Sequence, residues 1–357
     1  MTHEVGGTRS FHELAERWDL SDMARVIAGM GGQIDFALED AQFPDIVRSG
    51  IEEILVVGMG GSVLPVDIIN DTLADWLPRS LQVSRHYHLP RAETQRRLLV
   101  FSSFSGNTQE VIEPLLSMPA EARNIAVITA GGQLASIGEE RGYPTIIIPA
   151  AREPNGFQPR CASGYIVTYL ARLLTASGFA TVPFKQFQVL SSFLGGLDLR
   201  AEGEALALAL EGRIPIFYSD ERHALSLARI AKIKYNENAK RPAFFNALPE
   251  ASHNEMIGLS GADEQLVVVY FRDPESHPRV HQCFDIMRRV LAGPHVSFLE
   301  WEMLGANRLE RVFATLMLAD WVSYFSALLR GVDPTPVALV EEFKRLLTQS
   351  DDVGIGE

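Results

Sequence analysis

The chain reads IEEILVVGMGGS at residues 51–62, where a short apolar run ends in a cluster of glycines. The four apolar residues 54–57 are too few for a buried helix and are typical of a strand that is covered on both faces. A helical pattern follows from about residue 65 to residue 76. A strand, a glycine turn and a helix in this order predict the first unit of a parallel α/β sheet.

The same alternation recurs through the first half of the chain. Apolar runs occupy residues 98–101, 125–129 and 146–148, and helical patterns separate them. Parallel strands need a long crossover between them, and a helix is the usual one. The first half is therefore predicted to form a doubly wound parallel sheet.

The second half repeats this organisation after a mostly helical stretch that ends near residue 211. Strand-like runs lie at residues 214–218, 266–271 and 295–299, and helical patterns cover 223–240 and 308–330. The predicted fold class is α/β, with two doubly wound parallel-sheet subdomains of flavodoxin-like type. We expect the first subdomain to span residues 1–200 and the second to span residues 201–357.

Composition limits the classes of function that the chain can have. The 357 residues suit two domains, and a net charge of −13 argues against a nucleic acid or an anionic membrane as a partner. Cys161 and Cys283 form no CxxC pair and no disulfide framework, which favours a reducing compartment. The N-terminus has no apolar run of a signal peptide, and no uncharged stretch reaches the ~18 residues of a membrane span. We therefore expect a soluble, cytoplasmic protein.

The glycine turn after the first strand is a candidate anion site. Gly58, Gly60 and Gly61 free backbone N–H groups at the start of a helix, and Ser62 adds a hydroxyl. By itself this pattern supports a ligand site and an ordinary tight turn about equally. It fits neither GxGxxG nor GxxxxGKS, which weakens a dinucleotide or P-loop interpretation.

A hydroxyl cluster follows the next strand. Ser103, Ser105 and Thr108 surround Gly106 at the carboxyl end of a predicted parallel strand, where open α/β sheets bind ligands. Hydroxyl and N–H donors can hold a phosphate monoester without lysine, which suits an acidic protein. The alternative is that Ser105 or Thr108 only caps a helix. A cap needs one such residue, so the cluster favours phosphate binding.

Two polar segments of the second half offer proton-transfer groups. Glu237 ends an apolar helix, and Glu250, His253 and Glu255 follow in a loop. A carboxylate and an imidazole are the commonest general bases and acids in enzymes. Taken as isolated residues, they are more simply interpreted as a solvated helix end and a capped loop. This structural interpretation is favoured over a catalytic one by roughly three to one.

Several polar blocks occur in order along both halves. They are GMGGS at 58–62, SFSGNTQE at 103–110, QPRCASGY at 158–165, NENAK at 236–240, LPE at 248–250, HNE at 253–255, LLRGVDPTP at 328–336 and EFK at 342–344. In these blocks the chain resembles the phosphoglucose isomerases of the sugar isomerase fold. It more closely resembles the bifunctional phosphoglucose/phosphomannose isomerases of archaea and some bacteria.

The resemblance implies catalytic roles for four residues. The residue that matches Glu237 moves a proton between C1 and C2, and the one that matches Arg160 stabilises the enediolate. The residue that matches His253 opens the sugar ring and comes from the neighbouring subunit, which implies a homodimer. Lys344 matches a C-terminal lysine that aids ring opening.

The resemblance also implies a phosphate site and the absence of a cofactor. The matching phosphate-binding positions are Gly60, Gly61, Ser62, Ser103, Ser105 and Thr108. The chain departs from the pattern at residues 63–66, which read VLPV where relatives usually have small residues and glycines. Such an enzyme interconverts glucose 6-phosphate, and mannose 6-phosphate, with fructose 6-phosphate.

Zinc is the competing device for mannose 6-phosphate isomerisation, and the histidines do not support it. His86 and His88 alternate on a probable strand, and Pro278 separates His277 from His281. No HExxH pattern occurs. The sequence therefore predicts a metal-independent enzyme.

Three other functions are compatible with parts of the pattern. A non-catalytic regulator that binds sugar phosphates would need the glycine turn at 58–62 and the hydroxyl cluster at 103–108, which we call the serine loops. It would not need Glu237, His253, Arg160 and Lys344 together. An aminosugar-phosphate isomerase would normally carry an amide-handling domain, and an inert α/β scaffold leaves the hydroxyl cluster unexplained. A coupled assay with fructose 6-phosphate separates these alternatives.

Overall fold

The computed structural model describes residues 10–46, 50–89, 96–119, 122–262, 265–291, 293 and 295–351. The strands are β1 (Glu53–Gly58), β2 (Gln82–Ser84), β3 (Arg97–Ser103), β4 (Ile125–Thr129), β5 (Thr145–Ile147), β6 (Ile214–Asp220), β7 (Phe244–Leu248), β8 (Leu266–Arg272) and β9 (Val296–Glu302). The helices of the first half are α1 (Phe11–Trp18), α2 (Met23–Ala28), α3 (Met30–Glu39), α4 (Leu64–Thr72), α5 (Gln109–Leu116), α6 (Gly132–Arg141), α7 (Ser163–Ala176) and α8 (Phe184–Gly195). Those that follow are α9 (Arg200–Ala209), α10 (Arg229–Asn238), α11 (Ala251–Asn254), α12 (Met256–Ser260), α13 (Pro278–Leu291), α14 (Arg308–Arg330) and α15 (Ala338–Asp351).

The first half forms a five-stranded parallel sheet in the order β2-β1-β3-β4-β5. In its register Gly58 pairs with Ser102, and Ser103 pairs with Thr129. The carboxyl ends of β1, β3 and β4 therefore lie level. This register places the glycine turn and the hydroxyl cluster side by side at one edge of the sheet.

The second half forms a four-stranded parallel sheet in the order β7-β6-β8-β9. In both sheets the strand order reverses beside the first strand, as in doubly wound folds. The predicted fold class, two parallel-sheet α/β subdomains, is confirmed. The boundary at residue 200, which falls at the start of α9, remains a prediction.

Two strands, β2 and β7, were not among the predicted strands because neither has a continuous apolar run. β2 and β7 each pair with one neighbour only, and Gln82 and Phe244 are exposed. An edge strand that is partly exposed lacks the continuous apolar run of a central strand. The predicted helix at 223–240 is also divided, because residues Ala224–Ala228 form a π-helical turn before α10 begins.

Helix α14 runs through the core that the two halves share. Its start is fixed by Asn307, whose side chain accepts a hydrogen bond from the Glu310 N–H at 3.0 Å, and it ends at Gly331 in a left-handed conformation. α14 packs on α9 and α10 of the second half and on α1 and α2 of the first. The helix is long and apolar enough to cross a membrane, but 94% of its apolar window is buried inside the protein. It is therefore a core helix.

A buried ion cluster also joins the halves. His223, which follows β6, bonds through Nδ1 to Asp71 of α4 at 2.6 Å and through Nε2 to Asp273 at 2.7 Å. Arg311 of α14 forms an ion pair of 2.9 Å with Asp273. All four residues are nearly inaccessible to solvent. These contacts bring α4, directly after the glycine turn, against the second sheet.

Candidate active site

The glycine turn after β1 is bound to the segment that follows β3. The Phe104 N–H donates to Ser62 Oγ at 3.0 Å, and Ser102 Oγ donates to the Ser62 carbonyl at 3.0 Å. A Cβ at Gly58 would lie 2.6 Å from the Ser102 carbonyl oxygen, so only glycine allows this approach. Gly60 is exposed, has φ +51°, and faces open space. The two loops thus pack into one surface, in which Ser105 is exposed and Ser62 and Ser103 are almost fully buried.

The departure from the family pattern at residues 63–66 does not line that surface. Val63 and Leu64 are 1% and 2% exposed and belong to the main hydrophobic core. Val63 packs directly beneath Gly58. Larger side chains at these positions therefore add to the core under the turn.

The hydroxyl cluster after β3 is organised around the start of α5. Ser103 Oγ and Thr108 Oγ1 share a hydrogen bond of 2.8 Å, and Ser105 Oγ accepts one from the Asn107 N–H at 3.3 Å. Thr108 occupies the N-cap position of α5, yet its side chain makes no capping hydrogen bond. The Val111 N–H bonds the Thr108 carbonyl at 3.0 Å, so the N–H groups of Gln109 and Glu110 are the first-turn donors left for an anion. This geometry disfavours the interpretation that the hydroxyls only cap the helix.

Gly106 closes this loop against its neighbour. It has φ +69°, and a Cβ there would lie 1.8 Å from the Gly131 carbonyl oxygen. Asn107 Oδ1 in turn accepts from the Gln133 N–H at 3.1 Å. The β3–α5 and β4–α6 loops are therefore packed rigidly together.

Arg160 connects the glycine turn to the second half. A Cβ at Gly61 would lie 2.8 Å from the Arg160 backbone nitrogen, so the two segments touch. The Arg160 side chain is 1% exposed. Its guanidinium donates to Glu237 Oε2 at 3.1 Å, to Asn238 Oδ1 at 2.6 Å, and to the carbonyls of Pro334 and Thr335 at 3.0 and 2.9 Å. A buried guanidinium with this many acceptors has one fixed orientation.

Glu237 lies in the last turn of α10, and hydrogen bonds from Lys234 and Asn238 fix the buried face of this helix. Lys234 Nζ bonds both carboxylate oxygens of Asp320 at 2.6 and 2.7 Å and the Arg160 carbonyl at 3.0 Å. Asn238, four residues later on the same face, donates to Ser323 Oγ at 2.9 Å. The Glu237 side chain remains 35% exposed. A carboxylate that accepts one hydrogen bond from arginine keeps lone pairs for a ligand.

His253 and Lys344 form no hydrogen bond or ion pair with Arg160 or Glu237 in the described part of the chain. His253 is exposed on the short helix α11, and its ring makes no hydrogen bond to the part of the chain that the structure describes. Lys344 lies on α15 with its side chain 52% exposed, and its ammonium bonds Glu341 at 3.2 Å. The structure thus brings together Arg160, Glu237 and the serine loops. The roles predicted for all of these residues remain predictions.

The supports of this site were not assigned from the sequence. Lys234, Asn238 and the Pro334 carbonyl position Arg160 and Glu237, and Lys240 bonds the Glu237 and Pro334 carbonyls. The NENAK block contained Asn238 and Lys240, but nothing in its pattern indicates which side chains turn inward.

Among the residues that the structure describes, no group of three or more His, Cys, Asp or Glu side chains could hold a metal ion.

Comparisons with known proteins relate the chain to sugar-phosphate enzymes. The model of the bacterial phospho-glucose isomerase C-terminal SIS domain matches residues 200–347. A bifunctional phosphoglucose/phosphomannose isomerase of Caldicellulosiruptor bescii is 30% identical over 86% of this chain and 93% of its own length. A second, from Aquifex aeolicus, is 32% identical over 82% of this chain and 90% of its own length.

Two further proteins widen the comparison. A D-glucosamine-6-phosphate 4-epimerase of Sulfolobus acidocaldarius is 34% identical over 61% of this chain and 68% of its own length. A solved structure of a hypothetical protein from Thermus thermophilus superposes with a TM-score of 0.70 over 96% of this chain and 94% of that one, at 13% identity. At that identity the superposition shows a shared fold.

Proposed function

The chain belongs to the family of bifunctional phosphoglucose/phosphomannose isomerases and is an isomerase, and we propose that it interconverts glucose 6-phosphate and mannose 6-phosphate with fructose 6-phosphate. The observation that carries this proposal is the Arg160–Glu237 pair, 3.1 Å apart, beside two hydroxyl-lined loops. A carboxylate next to a permanent cation suits proton abstraction beside a carbonyl. The hydroxyl and backbone N–H donors of the two loops suit the binding of a phosphate group.

The phosphate is held by neutral donors in this proposal. Ser62, Ser103, Ser105 and Thr108 supply hydroxyls, and the uncapped N-terminus of α5 supplies backbone N–H groups. The partial positive charge at a helix N-terminus favours an anion. An anchored phosphate would extend the open-chain sugar toward Arg160, whose backbone contacts Gly61.

Glu237 transfers the proton. It takes the proton from C2 of the open-chain aldose, the C2–H electrons form the C1–C2 double bond, and O1 carries the negative charge. The proton returns to C1, while O2 loses its own proton to O1 and becomes the ketose carbonyl. Arg160 offers its fixed positive charge to the enediolate oxygens. Each placed base of this kind contributes about 10²–10⁴ in rate.

One base on one face of the enediolate also accounts for two aldoses. Rotation about C2–C3 of the bound sugar presents either face of C2 to Glu237. Protonation at C2 then yields either the glucose or the mannose configuration. This proposal requires no metal ion, because Arg160 supplies the charge that a Lewis acid would otherwise provide.

A homodimer completes the site in this proposal. Ring opening needs a second proton-transfer group, and His253 is exposed where a neighbouring subunit could reach it. Ile257, four residues after His253 in the chain, is also unusually exposed for an apolar side chain, at 85%. Exposed apolar surface of this kind favours a protein interface.

Cys161 and Cys283 are free, which supports a cytoplasmic location.

The test is turnover of glucose 6-phosphate and mannose 6-phosphate, each with a coupled assay, in excess chelator. We expect activity on both substrates, undiminished by the chelator. Glu237→Gln should lower kcat by about 10³-fold or more because the base is lost, while fructose 6-phosphate still binds. Glu140→Gln, an exposed carboxylate on α6, is the control. Near-normal activity of Glu237→Gln would remove the base assignment.

A second candidate function is favoured by one of the relatives. The Sulfolobus acidocaldarius protein is named a D-glucosamine-6-phosphate 4-epimerase. Glucosamine 6-phosphate therefore belongs in the substrate panel, and turnover of it alone would favour this candidate. A non-catalytic regulator would bind fructose 6-phosphate and turn over none of the three, and the Arg160–Glu237 geometry disfavours it.

A further inference from the structure

Lys240 adopts a backbone conformation that side chains normally avoid. It follows the C-cap residue Ala239 of α10 and has φ +54°. This is the position at which helices usually end in glycine, because a Cβ is strained in the left-handed region. A residue held in such a conformation points to a task for its side chain.

The side chain of Lys240 bridges two segments of the candidate site. Its ammonium donates to the carbonyl of Glu237 and, at 3.0 Å, to the carbonyl of Pro334. The Glu237 carbonyl is one of the last carbonyls of α10, which have no partner within the helix. Lys240 therefore ties the turn that carries Glu237 to the loop after α14.

The Pro334 carbonyl closes a ring of contacts. It also accepts a hydrogen bond from Arg160 at 3.0 Å, and Arg160 in turn bonds the Glu237 carboxylate at 3.1 Å. The ring thus runs from Lys240 through the Glu237 backbone and carboxylate to Arg160 and Pro334. A shift of any member would change the distance between Glu237 and Arg160.

Capping of the helix end does not require Lys240. Arg330 of α14 donates to the Ala239 carbonyl at 3.1 Å and also bonds the Lys240 carbonyl. A cation therefore remains at this C-terminus without the Lys240 side chain. Burial and the charge of Arg160 lower the pKa of Lys240 to about 8, opposed by Asp333 and Glu237. The ammonium is thus held in a partly desolvated place next to the site.

We propose that Lys240 is a positioning residue for the isomerisation, which holds Glu237 at its working distance from Arg160 by fastening the end of α10 to the Pro334 carbonyl. Lys240 has this role only if the chain catalyses the reaction proposed above. Misplacement of a catalytic group by about 1 Å can lower a rate about 10²-fold. Lys240 itself does not touch the substrate.

Three substitutions and a control test this role. Lys240→Met removes the donors and keeps the stem, Lys240→Gly also removes the strain, and Lys240→Arg keeps a cation. Lys232→Met, a partly exposed lysine on the same helix, is the matched control. The measurements are kcat and KM for fructose 6-phosphate and the thermal midpoint of each variant.

We expect Lys240→Met and Lys240→Gly to lower kcat by about 10- to 100-fold relative to the control, with KM changed by less than about threefold. Lys240→Gly should melt no lower than Lys240→Met, because glycine suits the left-handed position. Lys240→Arg should recover part of kcat. This combination separates positioning from stability, since the better-folded variant would still be slow.

Two results would overturn the proposal. One is a kcat in both Lys240→Met and Lys240→Gly that matches Lys232→Met. The other is a loss of kcat that follows the thermal midpoint and is absent in Lys240→Gly. A wild-type chain without isomerase activity would instead overturn the proposed function and this role with it, so the two failures are distinguishable.

Discussion

His223 should make the stability of the protein fall as pH rises above neutrality. Its ring is fully buried between Asp71 of the first half and Asp273 of the second, and Asp220 lies nearby. Burial by itself would lower the pKa of His223. The hydrogen bonds to Asp273 and Asp71, with the charges of Asp71 and Asp220, outweigh burial and raise the pKa to about 9. The imidazolium thus joins the two halves.

The size of the effect follows from the two pKa values. A rise from 6.5 to about 9 corresponds to about 3 kcal/mol of stability, because each pKa unit is worth about 1.4 kcal/mol. A group whose pKa is raised on folding contributes fully below its unfolded pKa. The contribution of His223 is therefore complete below about pH 6.5 and is lost as pH rises through about 9.

The perturbation is His223→Gln, and the assay is urea unfolding between pH 6 and pH 9.5. The observable is the free energy of unfolding of the wild type minus that of the variant, in which other titrating groups largely cancel. We expect this difference to shrink by about 3 kcal/mol across the window. His12→Gln, an exposed histidine on α1, should show no such trend. If the difference in free energy of unfolding between the wild type and His223→Gln is the same at pH 6 and pH 9, the inference that His223 is buried in its charged form is wrong.

Two further substitutions test the packing that builds the site. Gly106→Ala would place a Cβ 1.8 Å from the Gly131 carbonyl at φ +69°, so we expect a loss of about 2–4 kcal/mol in urea unfolding. Gly142→Ala has a similar φ of +65° but open space, and should lose less; equal losses would contradict the steric reasoning. Lys234→Met would leave Asp320 buried without its cation and should cost about 3–5 kcal/mol. Adding Asp320→Leu should recover part of that loss, and no recovery would argue against an unpaired charge as its cause.

The central strands were predictable because their signal is local. β4 begins and ends at the predicted residues, and β3 and β8 extend the predicted runs by one or two residues. A strand that is covered on both faces must be apolar along its length, so the pattern is readable without neighbours. β2 and β7 were missed because Gln82, Ser84 and Asn246 interrupt their apolar runs, which a strand with a single partner tolerates.

The hydroxyl cluster was predictable for a similar reason. Ser103, Ser105 and Thr108 lie within six residues at the end of a strand, and parallel order alone puts them at the edge where open α/β sheets usually bind ligands. Whether they cap a helix or leave its N–H groups open was a question of side-chain geometry. The bond between Ser103 and Thr108, which leaves α5 uncapped, decided it.

The order of strands and helices, and with it the fold class, could be inferred from the amino-acid sequence, because burial and turn chemistry act over a few residues. The same order predicts the edge of the first sheet at which a ligand would bind. Which distant groups meet became visible in the folded chain alone. Arg160 and Glu237 are 77 residues apart in the chain, and the Pro334 carbonyl that both Arg160 and Lys240 bind lies 174 residues beyond Arg160. Such contacts arise because buried polar groups must find partners wherever the packing brings them, and no local pattern records that pairing. His223 is the plainest case, since in the sequence it is one histidine among nine, and in the fold it joins the two halves.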